Sequence, residues 1–508
     1  MHTYLTQGQN LTLASSIITF CILLTYLIYA IHPSTNLIQP PLDTDIKYNS
    51  SLTTQLPRPT TKPIQEEPTV PLACQNVDYQ WLASDRYYWD GWVSKTMFMS
   101  PDGSYTEANV KISSGESICI VVLLGPIPAS SMISPRKRFG PSDSIVMKAV
   151  GKQSKIEINL HQSPERSNVY FASITLFHPD TFYLQSVTEY RSYFWETPIY
   201  HAYRPFSFRS INRLVVMPAE SKKTILLPCD ASRSEHLQGS WRTNTRLNHI
   251  HNPEAGVASV NEEYTFVPDL CYRPFGRRPT DECPRFQAIH VWGDDHIKRN
   301  LKALEDPLWC EGGPKVNLDC VCNNEDNNAN GSHWENNPNV PLVLNSSTVG
   351  ITSFYYNKLG SITLKDWREE ITLQASLLPQ ANVVILGLGN IDIGLSRMLP
   401  SQFNASFYDV LTHMVKQVYP HQTIIVKAPQ YFGNGVLQNS AWNAGRSVAF
   451  SIVVEQAVHS MGDRVLLWNV RQLGMQDMTC SFAGTAYTKS NLVPLENELL
   501  SSLVCMHK

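Results

Sequence analysis

The chain has 508 residues, which is enough for two or three domains at about 100–200 residues each. Hydrophobic residues make up 43% of the sequence and charged residues only 17%, so the chain can bury a large core and wholesale disorder is excluded. The net charge of −3 provides no excess of basic residues to neutralise a phosphate backbone, which argues against a nucleic-acid-binding protein.

The first predicted element is an uncharged apolar segment at residues 11–31, LTLASSIITFCILLTYLIYAI. Its length matches the ~20 residues that a helix needs to cross a bilayer and exceeds the apolar core of an ordinary signal peptide. We therefore expect residues 1–10 to be a cytoplasmic tail and residues 11–31 to be a retained transmembrane signal-anchor, with a cleaved signal peptide as the alternative. The protein would be a single-pass type II membrane protein of the Golgi, secretory pathway or cell surface, with its bulk lumenal or extracellular.

Cysteine usage agrees with an oxidising compartment. Cys21 lies in the apolar segment, and the other ten cysteines form an even set, which predicts disulfide bonds. Free core cysteines or a zinc site are the alternatives, but the spacing of Cys320 and Cys322 does not match a zinc knuckle. The disulfide candidates are Cys74, Cys119, Cys229, Cys271, Cys283, Cys310, Cys320, Cys322, Cys480 and Cys505. Sequons that predict N-glycosylation begin at Asn49, Asn330, Asn345 and Asn404.

A stalk and a β domain follow the anchor. Residues 32–72 contain eight prolines among Thr, Ser and Gln, a composition that favours an extended chain over a packed core. Residues 73–228 contain short runs rich in β-branched and aromatic residues, such as SICIVVLL and TFYLQSVTEY, separated by turn formers. We expect an immunoglobulin-like or filamin-like β-sandwich there, in a spacing or binding role.

Residues 229–508 change to an alternation of buried strands and amphipathic helices. Apolar runs such as AIHVWG, NVVILGLGN and QTIIVKAP predict parallel strands, and segments such as GRSVAFSIVVEQAVHSM predict covering helices. The fold class is therefore an α/β domain with three layers, α/β/α, and an Asn-rich surface insertion at residues 310–339. Ligands of such sheets bind beyond the carboxyl ends of the strands. The residues to inspect are 293–296, 387–390 and the segment from Asp477 onward.

Several short blocks of this domain resemble the neurexophilin and PC-esterase (NXPE) family, and more widely the PC-esterase branch of the SGNH hydrolases. The blocks are GSWR (239–242), LCYRPF (270–275), VWGDDHIKRNL (291–301), GLGN (387–390) and QDMTCSFAGT (476–485). The resemblance covers about 280 residues, extends weakly to the β domain, which is neurexophilin-like in that family, and implies acyl transfer to or from hydroxyl groups of glycans. In such chemistry a serine attacks the acyl carbonyl, an Asp–His pair removes its proton, and N–H donors hold the oxyanion.

The central catalytic positions of the family are occupied by other residues. The nucleophile position is Asp295, and the position of the base falls near Lys489. Asp477 remains as the candidate orienting acid. The candidates for oxyanion or substrate contacts are Gly387, Asn390, Asp294 and Arg299.

Three interpretations of Asp295 stay open. In the first it is a structural carboxylate in an inactive site, where Asp294 and Asp295 would repel each other unless one is solvated, protonated or paired with Lys298 or Arg299. In the second it is the nucleophile or base of altered chemistry. In the third it binds a divalent cation with Asp294, His296 and Asp392. We favour the first and expect neither a metal nor a cofactor. Phosphate-binding Gly-rich loops are absent from the sequence, so no nucleotide site is expected.

The leading hypothesis is a membrane glycoprotein whose SGNH-like domain has lost catalysis and binds a glycan or a cell-surface protein. One alternative is an active O-acetyltransferase or acyl esterase with substituted residues. Another is a structural or adhesive protein that binds through its β domain. In that case the aromatic cluster DRYYWDGWV (85–93) could stack on sugars, although packing is the commoner use of such clusters.

Overall fold

The structure is a computed structural model that describes residues 71–77, 94–125, 138–219, 227–243, 264–272, 288–305, 353–363, 366–433, 435–438, 441–474, 476–482 and 484–506. The chain divides into two compact units, Met1–Pro63 and Ile64–Lys508, and every described residue belongs to the second. The predicted tail, anchor, Asn-rich insertion and nearly all of the stalk lie outside the described residues. Within those residues, no helix combines the length and hydrophobicity needed to span a bilayer.

Ten short strands form the first part of the described chain. They are β1 (Lys95–Phe98), β2 (Val110–Ser113), β3 (Ser117–Leu123), β4 (Ser144–Val150), β5 (Ser154–Glu157), β6 (His161–Gln162), β7 (Val169–Thr175), β8 (Asp180–Tyr190), β9 (Phe206–Arg209) and β10 (Leu214–Met217). One sheet has the order β1-β3-β7-β6, and a second contains β5-β4-β8-β10-β2 with β9 paired to β8. The two sheets share one apolar core, in which Ile120 and Tyr170 of the first are clustered with Met147, Phe182 and Leu214 of the second. The expected two-sheet packing is present, and its immunoglobulin-like or filamin-like topology stays a prediction.

The larger sheet continues past the predicted domain boundary at residue 228. The next strands are β11 (Leu227–Pro228), β12 (Gly239–Thr243), β13 (Tyr264–Pro268) and β14 (Cys271–Tyr272). β12 pairs with both β13 and β5, which brings the sheet to eight strands. We call strands β1–β10, β12 and β13 the β module. Trp241 of β12 and Phe266 of β13 pack into the core of the domain that follows, so this stretch of chain belongs to both parts.

The last part of the chain alternates strands and helices as the sequence predicts. Its elements are β15 (Ile289–Gly293), α1 (Asp295–Glu305), β16 (Phe354–Lys358), α2 (Trp367–Leu377), β17 (Val383–Gly387), α3 (Asn390–Gly394), α4 (Pro400–His413), β18 (Thr423–Lys427), α5 (Ala444–His459), β19 (Val465–Trp468), β20 (Thr479–Phe482), β21 (Thr485–Thr488) and α6 (Val493–Met506). Five of these strands form a parallel sheet in the order β16-β15-β17-β18-β19, and β20 pairs with β21 in a hairpin.

Helices cover both faces of the parallel sheet. We call this sheet together with its helices and the β20–β21 hairpin the α/β domain. Because successive residues of a strand point to opposite faces, Val384 and Leu386 of β17 pack with α2, α4 and α5, and Val383 and Ile385 pack with α1 and α6. The central strands are apolar on both faces, as is typical of a parallel sheet between two helical layers. The predicted α/β/α layering is therefore present.

A buried polar contact joins the β module to the α/β domain. One carboxylate oxygen of Glu189 in β8 accepts hydrogen bonds from the Ser144 hydroxyl (2.6 Å) and from the Ala444 N–H at the start of α5 (2.8 Å). A carboxylate at a helix N-terminus satisfies unpaired N–H groups and interacts favourably with the helix dipole. Trp195 and Phe139 add apolar contacts from this side to the core of the α/β domain.

Within the described residues, two disulfide bonds join four of the ten candidate cysteines to one another. Cys74 is bonded to Cys119 within the β module, and Cys229 is bonded to Cys271. Cys480 and Cys505 are also disulfide-bonded. The candidates Cys283, Cys310, Cys320 and Cys322 lie outside the described residues, as do the sequons at Asn49, Asn330 and Asn345. Asn404 lies in α4.

Candidate functional site

The candidate site lies at the carboxyl edge of the parallel sheet. β15, β16 and β17 end side by side, because Gly293 is in register with both Lys358 and Gly387. Within the sheet, β16 lies beside β15 on one flank, and the chain then crosses over to place β17 on the other flank of β15. The edge between β15 and β17 is thus the point where the strand order reverses, and ligands of open α/β sheets bind at such points.

Asp294 is the N-cap of α1. Its side chain is almost fully buried, and Oδ1 accepts a hydrogen bond from the His296 N–H at 3.0 Å. Asp is among the residues preferred at this position because its carboxylate accepts from the first free N–H groups of the helix. Asp294 is therefore committed to the helix start, and its burial leaves little surface for a substrate.

Asp295, at the position of the family's nucleophilic serine, is the first residue of α1. Its side chain is 40% exposed, and its carboxylate lies 3.3 Å from the Lys358 ammonium at the end of β16. Lys298 and Arg299 are the pairing partners that the sequence offers to Asp294 or Asp295, but the partner of Asp295 is Lys358, because the register of β15 and β16 brings Lys358 beside Gly293. The charges of Asp295 and Asp294 also act on the buried Tyr356 hydroxyl, whose pKa is raised mainly by desolvation.

His296 faces the interior rather than Asp295. Its ring is buried, and Nε2 lies 2.9 Å from the Ala486 carbonyl oxygen of β21. An aromatic wall surrounds the ring, and the nearest member is Tyr487, with a centroid distance of 4.8 Å. Nε2 donates to the Ala486 carbonyl oxygen, and Nδ1 lies 3.5 Å from Asp294 Oδ1. This imidazole packs the hairpin against α1.

Gly387 and Asn390 take different roles at the end of β17. A Cβ atom on Gly387 would lie 2.6 Å from the Cδ1 atom of Ile297, so glycine is needed here for α1 to approach the sheet. The buried Asn390 side chain accepts a hydrogen bond from the Gln430 N–H through Oδ1 (2.8 Å). Because Oδ1 accepts this hydrogen bond, the NH₂ group of Asn390 is the part of the amide that can donate to a ligand. Asn390 thus keeps the polarity that an oxyanion donor requires.

Asp392 and Ser361 form a second polar pair at this edge. The Ser361 hydroxyl donates to Oδ1 of the fully buried Asp392 at 2.6 Å. Desolvation raises the pKa of Asp392 to about 6; the hydrogen bond from Ser361 opposes this shift, and the negative charge of Asp294 adds to it. Ser361 was not among the predicted site residues, although it lies just beyond β16, at the carboxyl edge where ligands of such sheets bind.

The other predicted residues lie away from Asp295 or serve the fold. Arg299 is buried and donates to the Thr488 carbonyl oxygen at 2.8 Å, which holds β21 against α1. Asp477 is turned toward the β module, where Lys148 and Lys155 lie 2.9 and 3.1 Å from its two carboxylate oxygens. These two lysines lower the pKa of Asp477 despite desolvation, which acts in the opposite direction. Neither Asp295 nor Asp477 forms an ion pair with Lys489 in the described part of the chain.

The cation interpretation of Asp295 requires several ligands that converge on one point. Within the described ranges, no group of three or more His, Cys, Asp or Glu side chains is arranged to hold a metal ion. Asp294 is engaged by backbone N–H groups, and Asp295 by Lys358. The cation interpretation of Asp294, Asp295, His296 and Asp392 therefore has no support in the geometry.

Comparisons with known proteins give only distant similarities. No protein-family model matches the chain, and no curated protein gives a significant sequence match. A lipase/acylhydrolase from Enterococcus faecalis is 10% identical, with 43% of this chain and 96% of that chain covered and a TM-score of 0.28. A lipolytic G-D-S-L family member from Veillonella parvula is 14% identical over 43% and 96%, with a TM-score of 0.24.

A carbohydrate esterase family 2 enzyme plus carbohydrate binding domain from Corynascus thermopiles (Myceliophthora fergusii) is 10% identical. The similarity covers 77% of this chain and 94% of that chain, with a TM-score of 0.27. All three TM-scores are too low for these similarities to carry an argument about fold or function. The site must be judged from its own residues.

Proposed function

We propose that the α/β domain is an SGNH hydrolase-like domain that has lost acyl transfer and that the protein acts by binding a glycan or a cell-surface protein. The strand order, the Gly-Asp turn after β15 and the Gln430-bound Asn390 after β17 support the hydrolase-like origin. The observation that carries the loss of activity is Asp295. At the nucleophile position it presents an ion-paired carboxylate 3.3 Å from Lys358 in place of a hydroxyl.

Among the described residues, the expected proton-transfer partners do not lie beside Asp295. A hydroxyl nucleophile needs a base within hydrogen-bond reach, oriented by a third group. The imidazole next to Asp295 in sequence is that of His296, and it is committed to the Ala486 carbonyl inside the core. The candidate orienting acid, Asp477, is held by two lysines of the β module. The double-displacement chemistry of the family cannot run with this arrangement.

One observation favours the alternative of residual acyl transfer. The Ser361 hydroxyl donates to the Asp392 carboxylate at 2.6 Å, at the same edge of the sheet. A carboxylate with a raised pKa is a stronger base than an ordinary aspartate. Ser361 is therefore included in the test as a second position from which activity could come.

The test is hydrolysis of p-nitrophenyl acetate and of acetylated glycans by the full-length protein. We expect wild type, Asp295→Ala and Ser361→Ala all to match the buffer rate. Asp409→Ala, which removes an exposed carboxylate on α4, is the matched control for nonspecific surface effects. Turnover by wild type that disappears in Asp295→Ala or in Ser361→Ala, but not in the control, would contradict the proposal.

A restoration experiment examines the assignment of positions. Asp295→Ser with Lys489→His returns the two missing residue types to the expected sites. Acyl-enzyme formation detected by mass spectrometry, with folding confirmed by thermal unfolding, would support the hydrolase-like origin. A folded double variant without any acylation would show that further parts of the machinery have been lost or that the base position lies elsewhere.

We also propose that the protein is a type II membrane glycoprotein of the secretory pathway. The uncharged segment at residues 11–31 and the disulfides Cys74–Cys119 and Cys229–Cys271 support this location. Mobility shifts after endoglycosidase treatment, with Asn→Gln variants at Asn330, Asn345 and Asn404, test it. Unglycosylated protein with free thiols at these cysteines would overturn it.

A further inference from the structure

A cavity of about 680 Å³ lies between the β module and the α/β domain, away from the candidate site. Its volume is in the range of small-molecule sites, about 300–1,000 Å³, which occur preferentially between domains. The β module contributes Glu157 and His161, and the α/β domain contributes Tyr431, Ile452 and Arg471. None of the residues discussed at the carboxyl edge of the sheet lines it.

The walls of the cavity are fixed in place before any ligand arrives. Glu157 is hydrogen-bonded to the buried Tyr431 hydroxyl, and Arg471 Nη2 lies 3.4 Å from Glu455 Oε1. The Glu189–Ala444 contact and the pairing of Asp477 with Lys148 and Lys155 hold the two parts together outside the cavity. Asn159 and His161 are exposed residues of the lining, so a ligand can enter from solvent.

The charges in the cavity are balanced. Arg138 and Arg471 face Glu157 and Glu455, while the carboxylate of Asp143 is already saturated by the neighbouring Arg191, Ser192 and Tyr170. Desolvation and the positive charge of Arg471 lower the pKa of His161, which keeps its ring neutral at pH 7. A ligand with a strong net charge would therefore gain no net electrostatic attraction from these groups.

The uncharged lining offers both donors and acceptors beside an apolar surface. The side-chain amides of Asn159 and Gln456 can donate and accept, as can the neutral ring of His161. Val448 and Ile452 of α5 supply apolar contact along one wall. This combination matches a molecule that has many hydroxyl groups on its edges and C–H groups on its faces.

We propose that the cavity between the β module and α5 binds a neutral saccharide of one or two sugar units. This names the ligand class and the place of binding for the proposed binding role, and it rests on that proposal. The proposed loss of acyl transfer and the proposed sugar site can fail separately. Ester hydrolysis tests the residues at the carboxyl edge of the sheet, and sugar binding tests the cavity.

Saturation-transfer NMR on the full-length protein tests the proposal. The neutral probes are glucose, galactose, mannose, fucose, N-acetylglucosamine, N-acetylgalactosamine and the disaccharides lactose and N-acetyllactosamine. The charged probes are glucose 6-phosphate and glucosamine. We expect saturation transfer to at least one neutral sugar and none to the charged probes.

Three variants place the binding. Ile452→Trp fills the cavity and should abolish transfer. Glu157→Gln keeps the side-chain size and removes a charge, and Arg471→Gln removes a charge and shortens the side chain. Each should weaken binding by at least about tenfold, as expected for one hydrogen bond to a charged group. Asp295→Asn, at the carboxyl edge of the sheet, is the matched control and should bind as wild type does. Thermal unfolding of every variant separates lost binding from lost folding.

The proposal is overturned if no neutral sugar receives saturation, if the charged probes bind more tightly than the neutral ones, or if binding persists in a folded Ile452→Trp variant. Loss of binding in Asp295→Asn alone would move the sugar to the carboxyl edge of the sheet and would also overturn it.

Discussion

At the scale of single residues, the turn after β15 contains side chains of catalytic types that stabilise the fold instead. Asp294 caps α1, His296 anchors the β20–β21 hairpin, and Asp295 alone reaches solvent. The sequence pattern identified the right turn, because the Gly-Asp block and its helix are local features. It could not identify Lys358 as the partner of Asp295, since the two are brought together only by the register of β16 beside β15.

The raised pKa of Asp392 predicts a pH-dependent stability. Its pKa is about 6 in the folded protein and near 3.8 when unfolded, so the unfolded state releases the proton first as pH rises. The free energy of unfolding should therefore fall between about pH 4 and pH 6, by about 3 kcal/mol for a shift of this size. Asp392→Asn removes this titration and should flatten the profile.

Urea unfolding at intervals from pH 4 to pH 8 measures the effect. Asp409→Asn, an exposed carboxylate in α4, is the control and should follow the wild-type profile. Identical pH profiles for wild type and Asp392→Asn would contradict the raised pKa.

The contact between Gly387 and Ile297 predicts a cost for adding one methyl group. In Gly387→Ala the new Cβ would lie 2.6 Å from Ile297 Cδ1 and 3.1 Å from Ile297 Cβ, so the Ile297 side chain would have to repack or α1 would have to shift. We expect a loss of about 1–3 kcal/mol in the free energy of unfolding. Gly360→Ala is the matched control, because no atom lies within 4 Å of the added Cβ. Equal stability of the two variants in urea would argue against close packing at this point.

At the scale of elements, the parallel sheet was predictable and the extent of the β module was not. A continuous apolar run such as NVVILGLGN predicts a strand that is buried on both faces. The run itself contains this information, so no distant partner has to be known. The GSWR block was predicted to lead into the α/β domain, but it pairs with β5 through Trp241 and Arg242. That pairing depends on a partner some eighty residues earlier, which no local pattern encodes.

The ion pairs of Asp477 predict how firmly the β20–β21 region is attached to the β module. Asp477→Ala leaves Lys148 and Lys155 together without their acid, and the side chain of Lys148 is only 8% exposed. Breaking a fully buried pair costs about 3–5 kcal/mol; because Asp477 is 37% exposed, we expect roughly 1–2 kcal/mol.

Equilibrium unfolding in urea at pH 7 measures this loss. The control, Asp409→Ala, breaks an ion pair that is about half exposed and should cost less than about 1 kcal/mol. A loss in Asp477→Ala no larger than that in the control would show that these contacts add little to the attachment.

At the scale of the whole molecule, the disulfide Cys229–Cys271 closes a long loop around the junction of the two parts. The cysteines are 42 residues apart, and chain entropy predicts a stabilisation of about 4 kcal/mol for a loop of this length. Replacing both cysteines by serine should lower the melting temperature of the whole described assembly, because Trp241 and Phe266 within the loop pack into the core of the α/β domain. Calorimetry of wild type and the double variant measures the change, and an unaltered melting temperature would contradict it.

The proposed loss of catalysis and the proposed sugar cavity both depend on how the two parts of the molecule are held together. The β module and the α/β domain share a core, the Glu189–Ala444 contact and the two ion pairs of Asp477, so they form a rigid frame. A rigid protein suits recognition, because it loses little conformational freedom when a ligand binds. The sequence could not reveal this frame. Its contacts join residues as far apart as Lys148 and Asp477, which are 329 positions distant.

The placement of β12 and β13 sets an order of events during synthesis. The eight-stranded sheet cannot be completed when residue 228 leaves the ribosome, because its last two strands end forty residues later, at Pro268. β5 ends at Glu157, and its partner β12 ends at Thr243, 86 residues later. At roughly 5–20 residues per second, β5 therefore waits about 4–17 s as an open sheet edge, and open edges invite pairing with other chains. The nascent protein thus passes through an interval in which a chaperone would be most needed, before the α/β domain has begun to emerge.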